Sequence, residues 1–306
     1  MTGYLVRRIL ALIPVALGVT TLTFALIHLV PGDPVIAMLG DNASATDIVG
    51  LRHAMGLDRP LGIQYLAFLN GLAHGDLGQS ISTHAPVATL IIEHFPATLE
   101  LAGAGLLTAI LLAFPLGIIA GVNPGGAADL GAMGFAILGI SIPHIYLGPL
   151  LMIVLSLDLG WLPLTGRGGL SHLVLPAITL GTALAAILAR MLRQSLAQVR
   201  GADYVRTARS KGLSQTGALI RHGLRNALTP VVTLLGLEAG SLLAGSVVTE
   251  MIFSWPGLGR LMINAIGARD YPLVEGCVLA YALTYVMVNM ATDFVYCAID
   301  PRIRLS

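Results

Sequence analysis

The sequence has little charge for its length, and this excludes most soluble proteins. Charged side chains make up 11% of the 306 residues and hydrophobic ones 56%, whereas soluble domains carry roughly 25% charged residues. The mean hydropathy is +0.83. A net charge of +1 gives no basic surface of the kind that nucleic acids require. The composition therefore predicts an integral membrane protein.

Cysteine is nearly absent, and no pattern of metal ligands is present. Cys277 and Cys297 are the only cysteines, and twenty residues of helix would separate them by about 30 Å, which is too far for a disulfide. Four histidines of residues 32–96, His53, His74, His84 and His94, stand at spacings of ten residues or more, which match no common metal-ligand motif. We expect no metal site in this chain.

The sequence also lacks the motifs of ATP hydrolysis and of other enzymes. Its only lysine, Lys211, follows Ser210, so the Gly-Lys-Ser/Thr of a phosphate-binding loop is missing. No His-Glu-x-x-His or Gly-x-Ser-x-Gly motif occurs. A Gly-x-Gly at Gly257 has neither a third glycine nor a preceding strand. We therefore expect a non-catalytic subunit without a cofactor, which takes its energy from a partner.

Six apolar runs are long enough to cross a bilayer, which takes about 20 helical residues. They cover residues 9–30, 98–122, 130–157, 172–192, 227–250 and 275–298. The first is longer than the core of a signal peptide, so we expect it to be retained. With both termini in the cytoplasm, twelve of the seventeen basic residues lie inside, as the positive-inside rule requires. The sequence predicts an all-α polytopic protein of six transmembrane helices.

A polar, basic stretch at residues 201–230 interrupts the hydrophobic second half of the chain. Its first part belongs to a predicted helix from about Gln194 to Lys211, and Gly212 is suited to end that helix in a left-handed conformation. Ser214 is a suitable N-cap for a second helix. Ile220, Leu224, Ala227 and Leu228 would form one apolar face of it. The pattern predicts a short helix, a glycine break and an amphipathic helix that continues into a span.

Five motifs in order along the chain resemble the permease subunits of ABC importers in the peptide/nickel family. They are Pro31-Gly32-Asp33-Pro34, Gly75-Asp76-Leu77-Gly78, Arg206-Thr207-Ala208 with Gly212 and Leu228-Thr229-Pro230, Trp255-Pro256-Gly257-Leu258-Gly259-Arg260 and Asp300-Pro301-Arg302-Ile303-Arg304. The motif that begins at Arg206 resembles the cytoplasmic loop that docks on the ATPase, although Arg206 stands where the general family pattern has glutamate. The resemblance implies a type I ABC importer permease fold in a bacterial inner membrane.

The resemblance also implies a division of the chain. Residues 1–31 would hold the first transmembrane helix, 32–96 an extracytoplasmic region, 97–298 a five-helix core and 299–306 a cytoplasmic tail. The coupling loop, residues 197–226, would dock on the ATPase. Its implied contact residues are Tyr204, Arg206, Thr207, Ala208, Lys211, Gly212, Leu213 and Ser214. The implied partners are a second permease, two ATPase subunits that bind ATP and magnesium, and an extracytoplasmic solute-binding protein.

The expected cargo is short peptides, with a nickel or other metal chelate, or a glutathione-like solute, as alternatives. Glu238 lies about halfway along the fifth span, where an ionisable side chain is costly. It either lines the pathway or is a structural glutamate with a partner such as His144, which we also assign tentatively to the pathway. Glu100, Glu250 and Glu275 fall near span ends, where we expect water.

An ion-coupled secondary transporter is the alternative from another class. It would need its own coupling-ion site, for which Glu238 and Asp293 are the candidates. Such transporters often carry inverted repeats, and the sequence shows no obvious internal repeat.

Overall fold

The computed structural model describes residues 13–25, 35, 44–54 and 56–299. Within these ranges the regular structure is helical, apart from one isolated antiparallel bridge between Gln79 and Pro86. The all-α prediction is therefore confirmed. The helices are α1 Ile13–Ala25, α2 Ala45–Ala54, α3 Leu61–Ala73, α4 Val87–Val122, α5 Ala127–Ser141, α6 His144–Asp158, α7 Leu170–Val199, α8 Asp203–Ser210, α9 Gln215–Ile252, α10 Leu258–Gly267 and α11 Tyr271–Ile299.

Four of these helices are long and apolar enough to cross a membrane: α4, α7, α9 and α11. The pair α5 and α6 passes the same test together and makes a fifth candidate. The helix α1 is apolar over the 13 residues described, and the rest of the predicted first span lies outside the described residues. Six spans therefore stay a prediction.

The third predicted span is not one continuous helix, and this corrects the sequence interpretation of residues 130–157. The chain turns by 105° between α5 and α6. Ile142 is extended (φ −95°, ψ 109°) directly before Pro143, because the ring of a proline disfavours helical geometry in the preceding residue. Pro149 and Pro176 are accommodated inside their helices. Only the local geometry at Pro143 breaks the span.

The described parts of Met1–Ala97 and Pro256–Val286 form one compact unit, and those of Thr98–Trp255 and Met287–Ser306 form another. The core of the first unit joins the start of α4 to α10 and α11 through Val87, Leu258, Ala265, Leu273 and Cys277, which are all buried. Gly276 allows this close packing, since a Cβ there would overlap the side chain of Val87.

The helix α7 lies at the centre of the second unit and packs against α5, α6 and α9. The helix α4 approaches α7 closely because glycines face it. A Cβ at Gly117 would lie 2.8 Å from the Cβ of Leu192, and a Cβ at Gly121 would lie 2.7 Å from that of Leu196. Real Cβ atoms essentially never approach so closely. The ends of α4 and α7 near Val122 and Val199 are therefore locked together.

Candidate coupling site

Helix α8 ends at Ser210, and Gly212 follows it in the left-handed conformation that the sequence predicts. The φ angle of Gly212 is +96°, a conformation that costs other residues roughly 1–2 kcal/mol. The N–H of Gly212 donates to the carbonyl of Arg209 at 2.9 Å, and the N–H of Leu213 donates to that of Ala208 at 3.4 Å. This pair of bonds is a Schellman motif, so the backbone is fixed where the two helices of the coupling loop meet.

Helix α9 begins with the predicted cap. The N–H of Gly217 donates to the Oγ of Ser214 at 3.1 Å, which satisfies one of the free N–H groups at the helix start. From Gln215 the helix continues to Ile252 with Pro230 inside it. The coupling loop is thus continuous with a membrane span.

The first helix of the loop is shorter than the sequence suggests. Helix α7 ends at Val199, residues 200–202 form a turn in which the N–H of Ala202 bonds to the carbonyl of Val199 at 3.0 Å, and α8 begins at Asp203. Helix α8 is therefore a separate element of eight residues.

The second helix buries a different face from the one predicted, because residues Leu219–Gly223 form a π turn. Such a turn adds one residue and rotates the helical turns before it relative to the turns after it. Ala218, Leu219 and Gly223 are buried, while Ile220 is 46% exposed. The assignment of Ile220 to the packed face is therefore wrong, whereas that of Ala227 is right.

The predicted contact residues are mostly on the surface. Val205 and Ala208 are buried on one side of α8, so Ala208 belongs to the packed side of the helix. Leu213 is half-buried. Six of the eight predicted contacts are exposed: Tyr204, Arg206, Thr207, Lys211, Gly212 and Ser214. The Oη of Tyr204 accepts a hydrogen bond from Asn226 at 3.0 Å, which ties α8 to α9.

An open concavity of about 560 Å³ lies between the two helices of the coupling loop. Its lining includes two guanidinium groups and the start of α9: Arg206, Arg209, Ser210, Leu213, Ser214 and Gln215. The Oδ1 of Asp203 lies 3.7 Å from an NH group of the Arg206 guanidinium, but the Asp203 side chain is almost fully exposed. Positive charge next to a helix N-terminus favours a negatively charged group.

Glu238 and His144, the tentative pathway residues, each have a partner. The Oγ of Ser241 donates to Oε2 of Glu238 at 2.8 Å. The Nδ1–H of His144 donates to the carbonyl oxygen of Thr179 at 2.7 Å. The structural alternative in which His144 pairs with Glu238 is therefore not the arrangement observed.

A second concavity, of about 450 Å³ and mainly apolar, is lined in part by Leu237, the residue before Glu238. Its lining comes from α7 and α9: Met191, Thr229, Pro230, Thr233, Leu234 and Leu237. Leu237 is 59% exposed, and Glu238 itself is half-buried.

Sequence reasoning missed Asp270, whose carboxylate is completely buried. It accepts hydrogen bonds from the Oγ of Ser80 at 2.5 Å, the N–H of Ile81 at 3.0 Å, and the N–H and Oγ of Ser82 at 3.1 and 2.8 Å. These bonds fasten the segment after the Gly75–Gly78 motif to the start of α11. Nothing in the local sequence pairs residues 190 positions apart.

The ion pair between Asp129 and Arg193 was also missed. Asp129 is 2% exposed, and Arg193 donates to both of its oxygens at 2.6 Å from Nε and from NH2. The N–H of Gly125 adds a third bond to Oδ2 at 2.7 Å. The sequence shows only an acid in the short link between two spans.

Two of the glutamates near span ends behave differently. Glu100 is partly exposed and pairs with Arg167 at 2.6 Å, in agreement with expectation. Glu250 is completely buried and accepts a bond from the Oγ1 of Thr98 at 2.7 Å, so the expectation of nearby water is wrong for Glu250. The helix packing encloses this position.

The described residues contain no group of three histidine, cysteine or acidic side chains placed to hold a metal ion. His53 instead pairs with Asp58, with 2.6 Å between Nδ1 and Oδ2. This hydrogen bond holds the pKa of the Asp58 carboxyl below its usual value.

Comparison with solved structures identifies the fold. An inward-facing structure of the MetNI methionine ABC transporter matches with a TM-score of 0.56 at 18% identity, over 69% of this chain and 96% of that one. An amino acid ABC transporter solved with histidines matches with a TM-score of 0.54 at 15% identity, over 69% and 94%. At these identities the likeness concerns the fold alone.

Comparison with sequences extends over the whole chain. The model of the binding-protein-dependent transport system inner membrane component matches residues 113–305, and a model of the N-terminal part of such membrane components matches residues 1–102. The glutathione transport system permease protein GsiC of Salmonella typhi is 43% identical over 304 residues, and that of Escherichia coli (strain K12) is 42% identical, each covering 99% of both chains. The chain belongs to the binding-protein-dependent inner membrane components, as an ABC importer permease subunit of the peptide/nickel family.

Proposed function

We propose that this subunit forms half of the translocation pathway of an ATP-driven importer and receives the force of ATP hydrolysis through its coupling loop. A second related permease, two ATPase subunits and an extracytoplasmic binding protein complete the complex. The subunit would lie in the bacterial inner membrane with six spans and both termini in the cytoplasm. ATP and magnesium would be bound by the ATPase subunits.

The observation that carries this proposal is the geometry at Gly212. The Schellman motif after α8 and the Ser214 cap of α9 hold two helices at a fixed angle. Because α9 continues into a span, a force applied at the junction of α8 and α9 moves a membrane helix and is not absorbed by a flexible loop. An exposed helix with a defined face is also a common way to dock in a groove of a partner.

The cargo that fits best is a short peptide of the glutathione class. Relatives that match the chain over 99% of its length are named as glutathione permeases, and glutathione is itself a tripeptide. Glu238 offers a carboxylate that could meet the ammonium group of such a solute. A nickel or other metal chelate is the alternative cargo.

Reconstitution of the complete complex in proteoliposomes tests the proposal. Purified binding protein would be loaded with reduced glutathione, a dipeptide, an oligopeptide or a nickel chelate, and uptake measured with and without ATP. We expect ATP-dependent uptake, strongest for glutathione or short peptides, and none without the ATPase subunits. Uptake driven by a proton or sodium gradient in the absence of ATP would contradict the proposal and support a secondary transporter.

A further inference from the structure

The ion pair of Asp129 and Arg193 lies where three helices meet at the base of the coupling loop. Asp129 is in the first turn of α5, directly after the link of residues 123–126 from α4. Arg193 is on α7, six residues before its last residue, Val199, which is about 9 Å along the helix. The pair therefore joins the α4–α5 link to the helix that leads into α8.

The geometry of the pair fixes orientation as well as distance. Two parallel N–H···O bonds between a guanidinium and a carboxylate allow little rotation. The carboxylate also accepts the N–H of Gly125, whose φ is +81°. The turn before α5 is thus held in one conformation by the same side chain that binds α7.

Packing of α7 against α4 and α9 supports this point. A Cβ at Gly121 would lie 3.3 Å from the Cα of Arg193, so the end of α4 touches the backbone of α7 at the ion pair. A Cβ at Gly223 would lie 2.9 Å from a methyl group of Val199, so the π turn of α9 touches the last residue of α7. The end of α7 therefore contacts both α4 and α9.

We infer that Asp129 and Arg193 are positioning residues for energy coupling: they transmit displacement of the coupling loop to α5 and, through it, to the bent α5–α6 pair. This inference rests on the proposed function. When the ATPase subunits move α8, α7 carries the displacement to Arg193, and the bidentate pair passes it to the start of α5. Without the pair, the two hydrogen bonds that join Arg193 of α7 to Asp129 of α5 would be lost.

A purely stabilising role makes a different prediction, and three variants separate the two. Asp129→Asn and Arg193→Gln each leave one buried or half-buried charge without its partner, which is strongly destabilising. The double variant Asp129→Asn/Arg193→Gln removes both charges, and such neutral replacements of buried pairs are often tolerated. Glu100→Gln is the control, because it disrupts a partly exposed ion pair with Arg167 in the same unit.

The measurement is the number of ATP molecules hydrolysed per glutathione imported by the complete complex in proteoliposomes, together with the yield of assembled complex. We expect the two single variants to assemble in reduced yield and the double variant near the wild-type yield. We expect all three to raise the ATP consumed per glutathione by at least about fivefold, the lower end of typical coupling between sites. Glu100→Gln should keep the wild-type ratio.

The two proposals fail in distinguishable ways. A wild-type complex that hydrolyses ATP without importing glutathione, a short peptide or a nickel chelate would contradict the proposed function, and the inference with it. A coupled wild type beside a double variant with an unchanged ratio would overturn the inference alone. In that case the ion pair would only stabilise the fold.

Discussion

The hydroxyl of Ser80 donates a hydrogen bond to Oδ2 of Asp270 across 190 residues of sequence. The same carboxylate accepts the N–H groups of Ile81 and Ser82, so a single side chain holds an entire turn. Asp270 also lies in the first unit together with the core residues of α10 and α11. The turn and the helix start therefore form one structural element.

Replacing Asp270 with asparagine should loosen the turn at residues 80–82. An asparagine presents an NH2 group to donors that now face a carboxylate oxygen, and an unsatisfied buried donor costs roughly 1–3 kcal/mol. Hydrogen exchange of the purified complex should show Ile81 and Ser82 exchanging about tenfold faster or more. Asp76→Asn is the control, since Asp76 is exposed and its carboxylate accepts a hydrogen bond from the nearby N–H of Gly78, within the same motif. Equal exchange in both variants would contradict the role of Asp270.

The same bonds predict a dependence on pH. Burial raises the pKa of the Asp270 carboxyl, but the hydrogen bonds from Ser80, Ile81 and Ser82 outweigh burial and leave the pKa below its ordinary value of 3.8. The ionised carboxylate therefore stabilises the folded state above that value, and the contribution is lost as the pH falls through the folded pKa. Protection of Ile81 and Ser82 should be constant from pH 7 to pH 5 and decline in strong acid. In Asp270→Asn this decline should be absent.

Replacing Gly212 with valine should uncouple ATP hydrolysis from transport. A β-branched residue at a φ of +96° is penalised by ~1 kcal/mol or more, and relief of that strain would change the angle between α8 and α9. We expect weaker retention of the ATPase subunits or more ATP hydrolysed per solute. Gly201→Val is the matched control, because Gly201 does not have a positive φ and its Cβ would lie 3.9 Å from the nearest atom. Normal uptake and normal stimulated ATPase activity in Gly212→Val would show that the junction of α8 and α9 has no role in coupling.

The orientation in the membrane can be tested with single cysteines. In a background without Cys277 and Cys297, cysteines at Ala45 and Gly267 should react with a membrane-impermeant reagent added outside. Both positions are exposed. Cysteines at Gln215 and at Ser306, which lies beyond the described residues, should react only after the membrane is opened. Labelling of Gln215 from outside would contradict the docking of the coupling loop on cytoplasmic ATPase subunits.

Replacing Glu238 with glutamine distinguishes a pathway residue from a structural one. If the carboxylate meets the solute, Glu238→Gln should slow the uptake of cationic peptides more than that of neutral or acidic ones, at unchanged complex yield. Ser241→Ala is the control, because it removes the 2.8 Å hydrogen bond to Oε2 and keeps the charge. An equal loss for all peptides that accompanies a reduced yield of complex would leave Glu238 as a structural residue.

The features predicted correctly are those with local causes. Gly212 ends a helix because of its own conformational freedom, and Ser214 caps one through an atom three residues away. The bend at Pro143 also has a local cause, and a proline within a span is a residue at which a break is expected, but the 105° size of the bend does not follow from the sequence. Apolar residues continue on both sides of the proline, and hydropathy does not distinguish a bent span from a straight one.

The features that were missed depend on distant parts of the chain. Asp129 bonds to Arg193, 64 residues away in the sequence, and Asp270 bonds to Ser80, 190 residues away. No local pattern of residue types indicates either pair. Glu250 was assigned to the vicinity of water from its position near a span end. Its burial beside Thr98 results from the way α4 and α9 pack, which the sequence alone does not report.

The π turn at Leu219–Gly223 changes the way mutations in α9 will behave. One extra residue corresponds to a rotation of about 100° in a helix of 3.6 residues per turn. The residues on the two sides of the turn therefore belong to two different helical wheels, although the backbone is continuous. The pattern of sensitivity to substitution along α9 should therefore change phase between Ala218 and Leu224. A single-residue deletion there would remove the extra residue and place both ends of the helix on one helical wheel, with their packed faces unchanged.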